Sequence, residues 1–522
     1  MRKKHITTIA AITLLVTTSC GTSTSYDGDN FLPTGDKIVK EKITLNFFAP
    51  LHPLHHKDGF NSMKLFQKME EITNIHINWT YGATSNYDSL RAAQWQSNKR
   101  PDAFFLWNPS DEVMEYGEQG VIYPLDDYID DYAPFYKEIL SRDEKYVKTA
   151  TMNDGNMYSF LSINNVPRDQ TFKQFINKKW LENLNLSMPT TVEEYYNVLS
   201  KFKTDDPNGN GIPDEIPLSS ASLFQSRNFL MSAFGYVSTG MELDTDGELV
   251  YVPSTDAYRA YLAYANSLYK NGLLDNNTFV MQERDLAAKG NIVGSFDAAA
   301  AYLVAGMENN DDYAAIPPLT SSINSQKMWL GFHTTTPEAL IIPKSSPYVK
   351  EIVRWMDFLY SPLGIQLQAF GEEGVDFFWK DEQKTSFTFP VPSNKSIEEY
   401  RGTITPGVGL GQVAFWDKDF VLKEDNEYTR SINDAVEEAG YMDYIKTPMP
   451  QLIFTRAEKN DMAIIQTDLD IYIETFEQRI ISGKLALNDN TWASHLSTLN
   501  QIRLTKLLEV YQSAYNRYLG EV

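Results

Sequence analysis

Between residues 43 and 107 the hydrophobic period of the sequence changes four times, from strand to helix and back. The segments with a strand-like pattern are ITLNFFAP (43–50), IHINW (75–79) and AFFLW (103–107). Between them lie NSMKLFQKMEEIT (61–73) and SLRAAQWQS (89–97), which have a helical pattern. Strands that alternate with helices pair in parallel, because each helix carries the chain back to the end where the previous strand began. This order therefore predicts an α/β protein built on a parallel sheet.

The rest of the chain continues to mix helices and strands. Residues 119–134 resemble a loop that seats a helix, 154–160 a turn into a strand, and a second α/β set runs to 339–344. Further helices are predicted at 177–204, as a pair, at 255–275, at 348–361 and at 461–519, as two long amphipathic helices. Thr191 and Glu194 predict a capping box in the first pair. One apolar stripe of the tail consists of Ile465, Leu469, Tyr472, Ile473, Phe476 and Ile480.

The first twenty residues indicate where the protein works. Arg2, Lys3 and Lys4 precede an apolar segment, 6–16, that is too short to span a bilayer, as in a signal peptide covering residues 1–19. Cys20 is the only cysteine of the chain, so we expect it to be the lipidated first residue of a bacterial lipoprotein. Lipoboxes usually carry Leu where Thr17 stands, and an ordinary secretory signal is the alternative. Residues 20–40 are rich in Gly, Ser, Thr and Asp and predict a flexible tether. Both readings place the mature protein outside the cytoplasm.

The charge of the chain limits its partners. The formal net charge is −23, and loss of residues 1–19 removes three positive charges and no negative ones, which leaves −26. This excess of negative charge argues against binding of nucleic acid and against electrostatic attraction to anionic lipid. A lipid anchor would therefore be the only contact with the membrane. It also favours a neutral ligand over an anionic one. Without disulfides the fold depends on its core, and about 480 residues suffice for two domains.

An acidic segment, DDPNGNGIPDEIP (205–217), cannot form a helix or a central strand. Its candidate metal ligands are Asp206, Asn208, Asn210, Asp214 and Glu215, with the carbonyl group of Ile212. Oxygens two residues apart and a glycine at the sixth position, Gly211, match the first half of an EF-hand loop, whereas Pro217 stands where that loop has a bidentate Glu. From the spacing alone, a structural calcium site and a solvated Asx turn are equally good readings.

Five segments of the mature chain form a specific pattern through their order and spacing. They are RPDAFFLW, EQGVIYPLDDYIDDYAP, DGNMYSF, the stretch from ALIIPKSSPYVKEIVRWMDFLYS to GEEGVDF, and the tail from TFEQRIISGKL to YQSAYNRYL. With this pattern the whole mature chain resembles an extracellular solute-binding lipoprotein of a sugar ABC transporter. More narrowly, it is similar to the subgroup that includes alginate-binding and other oligosaccharide-binding proteins. The acidic segment belongs to the same pattern, and in that subgroup the corresponding loop binds calcium.

The resemblance implies a two-lobed, periplasmic-binding-protein-like α/β fold of type II, in the large carbohydrate-binding cluster, with the ligand cleft between the lobes. The implied N-lobe is 41–157 plus 330–388. The implied C-lobe is 158–329 plus 389–522, with the calcium loop and the C-terminal helices. The protein would be a monomer anchored to the bacterial cell membrane, and it would deliver an oligosaccharide to ABC permease subunits.

A sugar needs aromatic faces for its rings and polar partners for its hydroxyl groups. Aromatic and polar residues are adjacent at four predicted strand ends: Trp107 with Asn108, Phe296 with Asp297, Phe332 with His333, and Trp416 with Asp417. Trp416 is the preferred stacking residue, because it follows the glycine-rich stretch GLGQVAF and the resemblance places a stacking residue there. His52 opens the polar loop HPLHH, which we expect to present donors to the ligand rather than to bind zinc. Any one of these aromatic residues could instead be core.

Two other classes of function compete with a transport receptor. Paired acids leave a glycosidase open on composition, but the sequence contains no GxSxG, HExxH or Walker loop. An adhesin that holds glycan without delivering it is the second alternative. We therefore expect a binding protein that is not an enzyme.

Overall fold

The fold was analysed in a computed structural model that describes residues 28–55, 58–222 and 224–521. The predicted signal peptide and the expected lipidation at Cys20 lie outside the described residues. Within the described part of the chain, no helix is both long enough and apolar enough to cross a membrane.

The described residues form fifteen short strands and twenty-one helices. In chain order the strands are β1 Ile43–Leu51, β2 Ile75–Ala83, β3 Ala103–Phe105, β4 Phe160–Asn164, β5 Lys173–Asn177, β6 Met241–Leu243, β7 Leu249–Tyr251, β8 Ser295–Ala298, β9 Tyr313–Ala315, β10 Trp329–Leu330, β11 Thr335–Ile341, β12 Phe378–Trp379, β13 Phe387–Thr388, β14 Phe415–Trp416 and β15 Ile445–Lys446. The helices are α1 Lys64–Thr73, α2 Tyr87–Gln96, α3 Ser110–Glu118, α4 Asp126–Tyr132, α5 Pro134–Leu140, α6 Glu144–Ala150, α7 Lys178–Asn183, α8 Val192–Thr204, α9 Arg227–Ser232, α10 Asp256–Lys270, α11 Glu283–Ala287, α12 Tyr302–Ala305, α13 Val349–Phe358, α14 Pro362–Phe370, α15 Ile397–Arg401, α16 Gly407–Leu410, α17 Lys418–Val421, α18 Glu427–Glu438, α19 Arg456–Ile481, α20 Asp489–Gln501 and α21 Leu504–Leu519.

A six-stranded sheet, in the order β14-β4-β11-β3-β1-β2, forms the centre of the first lobe. Strand β1 pairs in parallel with β2 and β3, as the sequence predicts, and β14 pairs in parallel with β4. Strand β11 runs antiparallel to both of its neighbours, β3 and β4. Both faces of this sheet are buried: Phe47 and Phe105 pack into one hydrophobic cluster, whereas Phe48 and Phe104 pack into another. Such double burial is typical of sheets whose crossovers are helices.

A second core lies in the other lobe. It surrounds the antiparallel three-stranded sheet β8-β5-β9 and includes Phe175, Leu262 and Trp329. Its members come from residues 175–329 and 435–492, which are separated in sequence by strands of the first sheet. The chain therefore crosses between lobes three times: after β4, between β10 and β11, and after β14.

The exact boundaries of the lobes remain a prediction, which the sheet pairing leads us to revise. The boundaries drawn from the sequence assigned residues 158–329 and 389–522 to the second lobe. Strands β4 and β14 nevertheless pair within the first sheet. We therefore place the first crossing after Asn164 and the third after Trp416.

The C-terminal tail differs from its prediction. The second predicted long helix is two helices, α20 and α21, because Arg503 takes a left-handed conformation with a φ of 71° and interrupts the helical hydrogen bonding. The stripe predicted for the first helix is correct, since Ile465, Leu469 and Ile480 are buried.

The capping box predicted at the start of helix α8 is only half formed. The Thr191 hydroxyl accepts a hydrogen bond from the Glu194 N–H group at 3.1 Å. The Glu194 carboxylate turns instead to the backbone N–H and the hydroxyl of Thr190, both at 2.8 Å. The helix α8 therefore begins where the sequence predicts, but its reciprocal bond is displaced by one residue.

Helix α19 connects the two lobes. At 26 residues it is about 39 Å long. Its second half is buried in the second lobe, where the Glu477 carboxylate accepts hydrogen bonds from the hydroxyl groups of Tyr258 and Tyr261 at 3.1 and 2.9 Å. Its first turn contacts helix α3 of the first lobe through two ion pairs, Arg456 with Glu115 at 3.2 Å and Lys459 with Asp111.

Candidate ligand-binding site

Polar and aromatic residues collect at one edge of the six-stranded sheet. Because β1, β3, β4 and β14 run in the same direction, the residues that follow them meet at one edge. His52 and Trp107 follow β1 and β3, and Trp416 is the last residue of β14; all three were predicted from the sequence. The antiparallel β11 begins at the same edge, so Phe332 and His333 precede it there. The three crossings also leave from this edge, which places it at the junction of the lobes.

Strand β3 ends two residues earlier than predicted, because Leu106 and Trp107 both adopt left-handed backbone conformations, with φ of 64° and 54°. Neighbouring groups hold this unusual turn. The Leu106 N–H group donates to the Ala339 carbonyl at 2.8 Å, and the buried Arg91 guanidinium donates to the Trp107 carbonyl at 3.1 Å. Such strain persists only where the surroundings enforce it, and it is common at binding sites.

A glycine-rich segment, residues 405–411, lies between the predicted side chains. The Trp107 indole N–H donates to the Leu410 carbonyl at 3.0 Å. The Nε2 atom of buried His55 lies 2.7 Å from the Val408 carbonyl oxygen. Gly409 has a φ of 78°, and a Cβ atom there would meet the His52 ring at 2.4 Å. His52, Trp107 and this segment therefore pack together as one surface of the first lobe, which we call the first wall.

Trp416 lies beside the same wall but is largely covered. Only 8% of its surface is exposed, and it packs in a cluster with Val166 and Phe370. The Arg401 guanidinium lies over its ring, 5.8 Å from the centroid. Among the described residues, neither the Trp416 Nε1 atom nor the Arg401 Nε atom has a hydrogen-bond partner. Trp416 remains a proposed ligand contact, although in this conformation Arg401 limits access to it.

Three other predicted residues are buried or have structural partners, although the buried Asn108 Oδ1 atom has no hydrogen-bond partner among the described residues. Asn108 is 0% exposed, and its amide donates to the Phe104 and Glu338 carbonyl groups at 3.2 and 3.0 Å. Phe296 is 0% exposed within the second core. Asp417 caps helix α17 by accepting from the Asp419 N–H group at 3.0 Å. We therefore no longer propose Asn108 and Phe296 as sugar contacts, because a ligand cannot reach them in this conformation.

The second lobe has a surface of its own beside the crossings, which we call the second wall. A cavity of about 460 Å³, which we call the front cavity, is lined among others by Arg168, Lys173, Gln225, Asp297, Leu303 and Phe332. The Asp297 carboxylate accepts hydrogen bonds from the hydroxyl groups of Ser220 and Ser226 at 2.8 and 3.0 Å. Phe332 keeps 44% of its surface exposed. An exposed aromatic face beside fixed polar groups is what carbohydrate recognition requires.

Burial perturbs the charged groups of the front cavity. It lowers the pKa of Lys173 to about 8, although nearby Asp169 opposes the change. It raises the pKa of Asp297, although its two serine partners act in the opposite direction. Groups perturbed in this way are common at functional sites.

Sequence reasoning missed Arg168, Lys173, Arg401 and Tyr302 at this junction. Tyr302 lies beside Leu303 of the front cavity, and its ring contacts Tyr428 edge-on at 5.2 Å. Burial raises the pKa of Tyr302, and Glu398, on the same short helix as Arg401, adds to the shift. Tyr302 is therefore near both walls. No local pattern identifies these residues, because they meet only through the crossings.

His333 has a different position from the one expected. It is exposed and lines a separate cavity on the side of helix α6, described below, rather than the front cavity. Phe332 lines both cavities.

The acidic segment forms a compact loop on the second lobe. Asp206, Gly209 and Gly211 have positive φ, and Asp206 accepts hydrogen bonds from the N–H groups of Asn210 and Gly211 at 3.1 and 3.0 Å. The amides of Asn208 and Asn210 point at Asp214, at 3.3 and 3.2 Å. The amide nitrogens of Asn208 and Asn210 thus face Asp214, whereas their Oδ1 atoms accept from the N–H groups of Asn210 and Ile212 at 3.0 and 2.6 Å.

Glu215 provides the test of whether a cation fits this loop. Its Oε1 atom is buried and has no hydrogen-bond partner among the described residues. Burial raises its pKa, and Asp214 and Asp206 add to the shift. A hard cation would relieve both effects. In this conformation, however, the described residues contain no group of three or more His, Cys, Asp or Glu side chains placed to hold a metal ion. Ile212 would bind the cation through its carbonyl group, because its side chain, which is 57% exposed, has no ligand atom.

Comparison with known proteins gives a consistent result. Residues 59–364 match the model of the family described as bacterial extracellular solute-binding protein. The chain is 27% identical to the fructooligosaccharide ABC transporter substrate-binding protein FusA of Streptococcus pneumoniae serotype 4, over 97% of this chain and 96% of FusA. A structure of FusA in complex with kestose aligns with a TM-score of 0.74 at 26% identity, over 92% of this chain and 100% of that one. A second structure with the same values is a FusA EF-hand mutant in complex with fructo-nystose.

More distant solved structures share the fold. A solute-binding protein of Bifidobacterium longum infantis, described as binding HMO, aligns with a TM-score of 0.79 at 19% identity, over 91% of this chain and 99% of that one. The alginate-binding protein AlgQ2 without calcium aligns with a TM-score of 0.68 at 20% identity, over 92% and 99% of the two chains. The family match and the similarity to FusA confirm the predicted two-lobed fold and the expectation of a binding protein that is not an enzyme. With more than half of its length matched by the family model, the chain belongs to the bacterial extracellular solute-binding protein family.

Proposed function

We propose that this protein captures a neutral oligosaccharide of the fructan type and delivers it to the permease subunits of an ABC importer. The observation that carries the proposal is the similarity to FusA over almost the full length of both chains. The site supports it, because exposed Phe332 lies beside the polar groups of the front cavity. A fructooligosaccharide is uncharged, which agrees with a chain of strongly negative net charge.

In this proposal, residues of both walls contact the sugar. Phe332 supplies an apolar face on which a sugar ring can stack, and Asp297 accepts hydrogen bonds from hydroxyl groups. His52 and Trp107 close on the ligand from the first lobe. Trp416 contributes once Arg401 moves aside, and the Arg401 guanidinium then becomes a donor to the sugar.

The experiment is a calorimetric titration of the mature chain with kestose, nystose, maltotriose and trigalacturonate. We expect both fructans to bind and the other two to bind at least about tenfold more weakly, which corresponds to about 1.4 kcal/mol. Maltotriose or trigalacturonate binding as tightly as kestose would contradict the fructan assignment. New reducing ends after incubation would contradict a receptor altogether.

The acidic loop is proposed to hold a structural calcium ion. Its ligands would be Asp206, Asn208, Asn210, Asp214 and Glu215, together with the Ile212 carbonyl group. The buried, unpaired Glu215 oxygen supports this assignment, and the description of a FusA variant as an EF-hand mutant agrees with it. The ion would neutralise a concentration of negative charge in one turn. It has no proposed part in sugar binding.

The membrane anchor is the last part of the proposal. Cys20 would carry the lipid, and the protein would act as a monomer at the outer face of the cell membrane. Metabolic labelling with a fatty acid should mark the wild type and leave Cys20→Ser unlabelled. Label on both proteins would contradict the anchor.

A further inference from the structure

A second cavity lies on the side of the crossings where helix α6 packs. This rear cavity has a volume of about 520 Å³. Lys145 and Thr149 of helix α6 line it from the first lobe, and Tyr515 and Tyr518 of helix α21 line it from the second. The crossings contribute residues such as Gln170 to the wall between them. The size is within the range of cavities that bind small molecules.

Few charged side chains line the rear cavity. None of its described lining residues is Asp or Glu, and its one lysine, Lys145, is paired with Asp143 at 3.2 Å. Two aromatic side chains there are widely exposed, Phe332 at 44% and Tyr518 at 42%. Hydroxyl and amide groups of Thr149, Gln170 and Thr334 surround them. Aromatic faces beside uncharged polar groups suit a neutral, hydroxyl-rich ligand.

Two polar atoms of this lining lack partners. Thr335 is 7% exposed, and its hydroxyl oxygen makes no hydrogen bond to the described residues. The same is true of the buried Oε1 atom of Gln451. A buried polar atom without a partner destabilises the folded protein, so such atoms are normally satisfied by water or by a ligand. Both atoms belong to residues that line the rear cavity.

We propose that the rear cavity is a second binding site, separate from the front cavity, for a small neutral sugar. The ligand stacks against Tyr518, and its hydroxyl groups complete the hydrogen bonding of Thr335 and Gln451. Because the walls belong to both lobes, binding there depends on how the lobes are arranged. The site does not depend on fructans being the ligand of the front cavity.

A single thiol can report occupancy of the rear cavity, because Cys20 is the only cysteine of the chain. The test compares Cys20→Ser/Thr149→Cys, which places a thiol in the lining, with Cys20→Ser/Ser497→Cys, whose thiol is exposed on helix α20 outside it. The rate of modification by a maleimide is measured in increasing concentrations of sucrose. We expect sucrose to slow modification of the first thiol severalfold and to leave the second unchanged.

Two further variants assign the protection to the rear cavity. Adding Thr335→Val with Gln451→Met should raise the sucrose concentration for half protection by about tenfold or more, since both partners of the sugar are lost. Adding Asp297→Asn, in the front cavity, should leave the sucrose concentration for half protection unchanged. Melting curves confirm that each variant folds. If the variant with both substitutions does not fold, Thr335→Val alone replaces it in the test, because valine nearly preserves the shape of threonine.

Absence of protection would show that the cavity holds only water and would overturn the proposal. Protection that survives loss of Thr335 and Gln451, or that disappears with Asp297→Asn, would also overturn it. The latter result would mean that sugar in the front cavity moves the lobes. A front cavity that binds no sugar would contradict the proposed function while leaving this measurement valid.

Discussion

At the scale of single residues, the side chains at the lobe junction differ most in how much surface remains open to a ligand. Phe332 is 44% exposed in a position flanked by glycine and by a crossing, whereas Trp416 is 8% exposed under a guanidinium group. An exposed aromatic ring on an otherwise well-packed protein loses contact with water when a sugar covers it. Trp416 already makes most of its contacts with protein. The two residues should therefore respond differently to truncation.

Replacing Phe332 by alanine is expected to weaken fructan binding by about 1–3 kcal/mol, the contribution of a lost aromatic contact. Its melting temperature should remain close to that of the wild type, because the ring is not part of a core cluster. Trp416→Ala serves as the matched comparison and should lower both the affinity and the melting temperature. Calorimetry and thermal unfolding measure both quantities. Unchanged affinity in Phe332→Ala would remove this residue from the site.

Asp357 is a buried acid whose contribution to the free energy of unfolding depends on pH. Its carboxylate accepts a hydrogen bond from the Tyr136 N–H group at 2.8 Å, and burial raises its pKa from 3.8 to about 7. The folded state therefore binds this proton more tightly than the unfolded state does. The associated stability is complete below pH 4 and is lost as the pH rises toward 7, by at most about 1.4 kcal/mol per pH unit.

Asp357→Asn keeps the acceptor oxygen and removes the titration. Urea unfolding at pH 5 and pH 8 should therefore show a smaller loss of stability in the variant than in the wild type. Asp246→Asn, at an exposed turn, is the control and should behave as the wild type does. Equal losses in Asp357→Asn and the wild type would contradict the assignment.

At the scale of elements, helix α19 depends on one buried acid. Glu477 is 3% exposed and accepts hydrogen bonds from two fully buried tyrosine hydroxyl groups, and Arg227 lies 3.6 Å away. These three partners come from helices α9 and α10, so the acid fixes α19 to the centre of the second lobe. Removing the carboxylate would leave the tyrosine hydroxyls and the guanidinium without their acceptor.

Glu477→Ala is expected to lower the free energy of unfolding by about 3–5 kcal/mol, the usual cost of breaking a buried charged pair. Asp468→Ala, at an exposed position of the same helix, should change it by less than about 0.5 kcal/mol. Chemical denaturation of the three proteins makes the comparison. A similar effect in both variants would show that Glu477 contributes only its helical propensity.

The acidic loop makes a prediction about metal. If calcium occupies it, the melting temperature should rise with free calcium, by an amount equivalent to about 1–3 kcal/mol between ten and a hundred times the dissociation constant. Magnesium should substitute poorly, because it demands a small octahedral shell. Asp206→Ala with Asp214→Ala should abolish the effect.

The control for the calcium effect is Asp244→Ala, in an ordinary acidic turn where Asp244 accepts from the N–H groups of Asp246 and Glu248 at 2.9 Å. Its response to calcium should equal that of the wild type. A wild type that melts at the same temperature in chelator and in calcium would show that the loop is only a turn.

Much of this architecture is local and was therefore predictable. The strands and helices between residues 43 and 107 follow from hydrophobic period, and the apolar stripe of helix α19 follows from helical spacing. The break at Arg503 has no glycine or proline to indicate it, so the sequence predicted one helix there. Arg401 and Lys173 became site residues only through tertiary contacts. Trp107 was predictable as a residue at a strand end, but its left-handed backbone was not.

At the scale of the whole molecule, two separately packed lobes share three crossings and a cleft. Each lobe has its own core, and among the described hydrophobic clusters the two largest lie in different lobes. Rotation about the crossings therefore costs little of either core. A ligand between the walls gains contacts only when both walls reach it, so binding should favour a more closed arrangement.

Small-angle scattering should detect this closure as a smaller radius of gyration at saturating kestose than without sugar. Maltotriose, which the proposed site does not favour, is the control and should leave the radius unchanged. An unchanged radius with bound kestose would mean that the cleft is closed before the sugar arrives.

The length of helix α19 has a mechanical consequence for such a rotation. One end is fixed in the second lobe by Glu477, and the other end touches helix α3 through Lys459 and Asp111. A rod of about 39 Å works as a lever, so a small angular change at the crossings becomes a displacement of several ångströms at its tip. A pair of dyes placed at the tip and on helix α3 would convert sugar capture into an optical signal, without any label near the sugar itself.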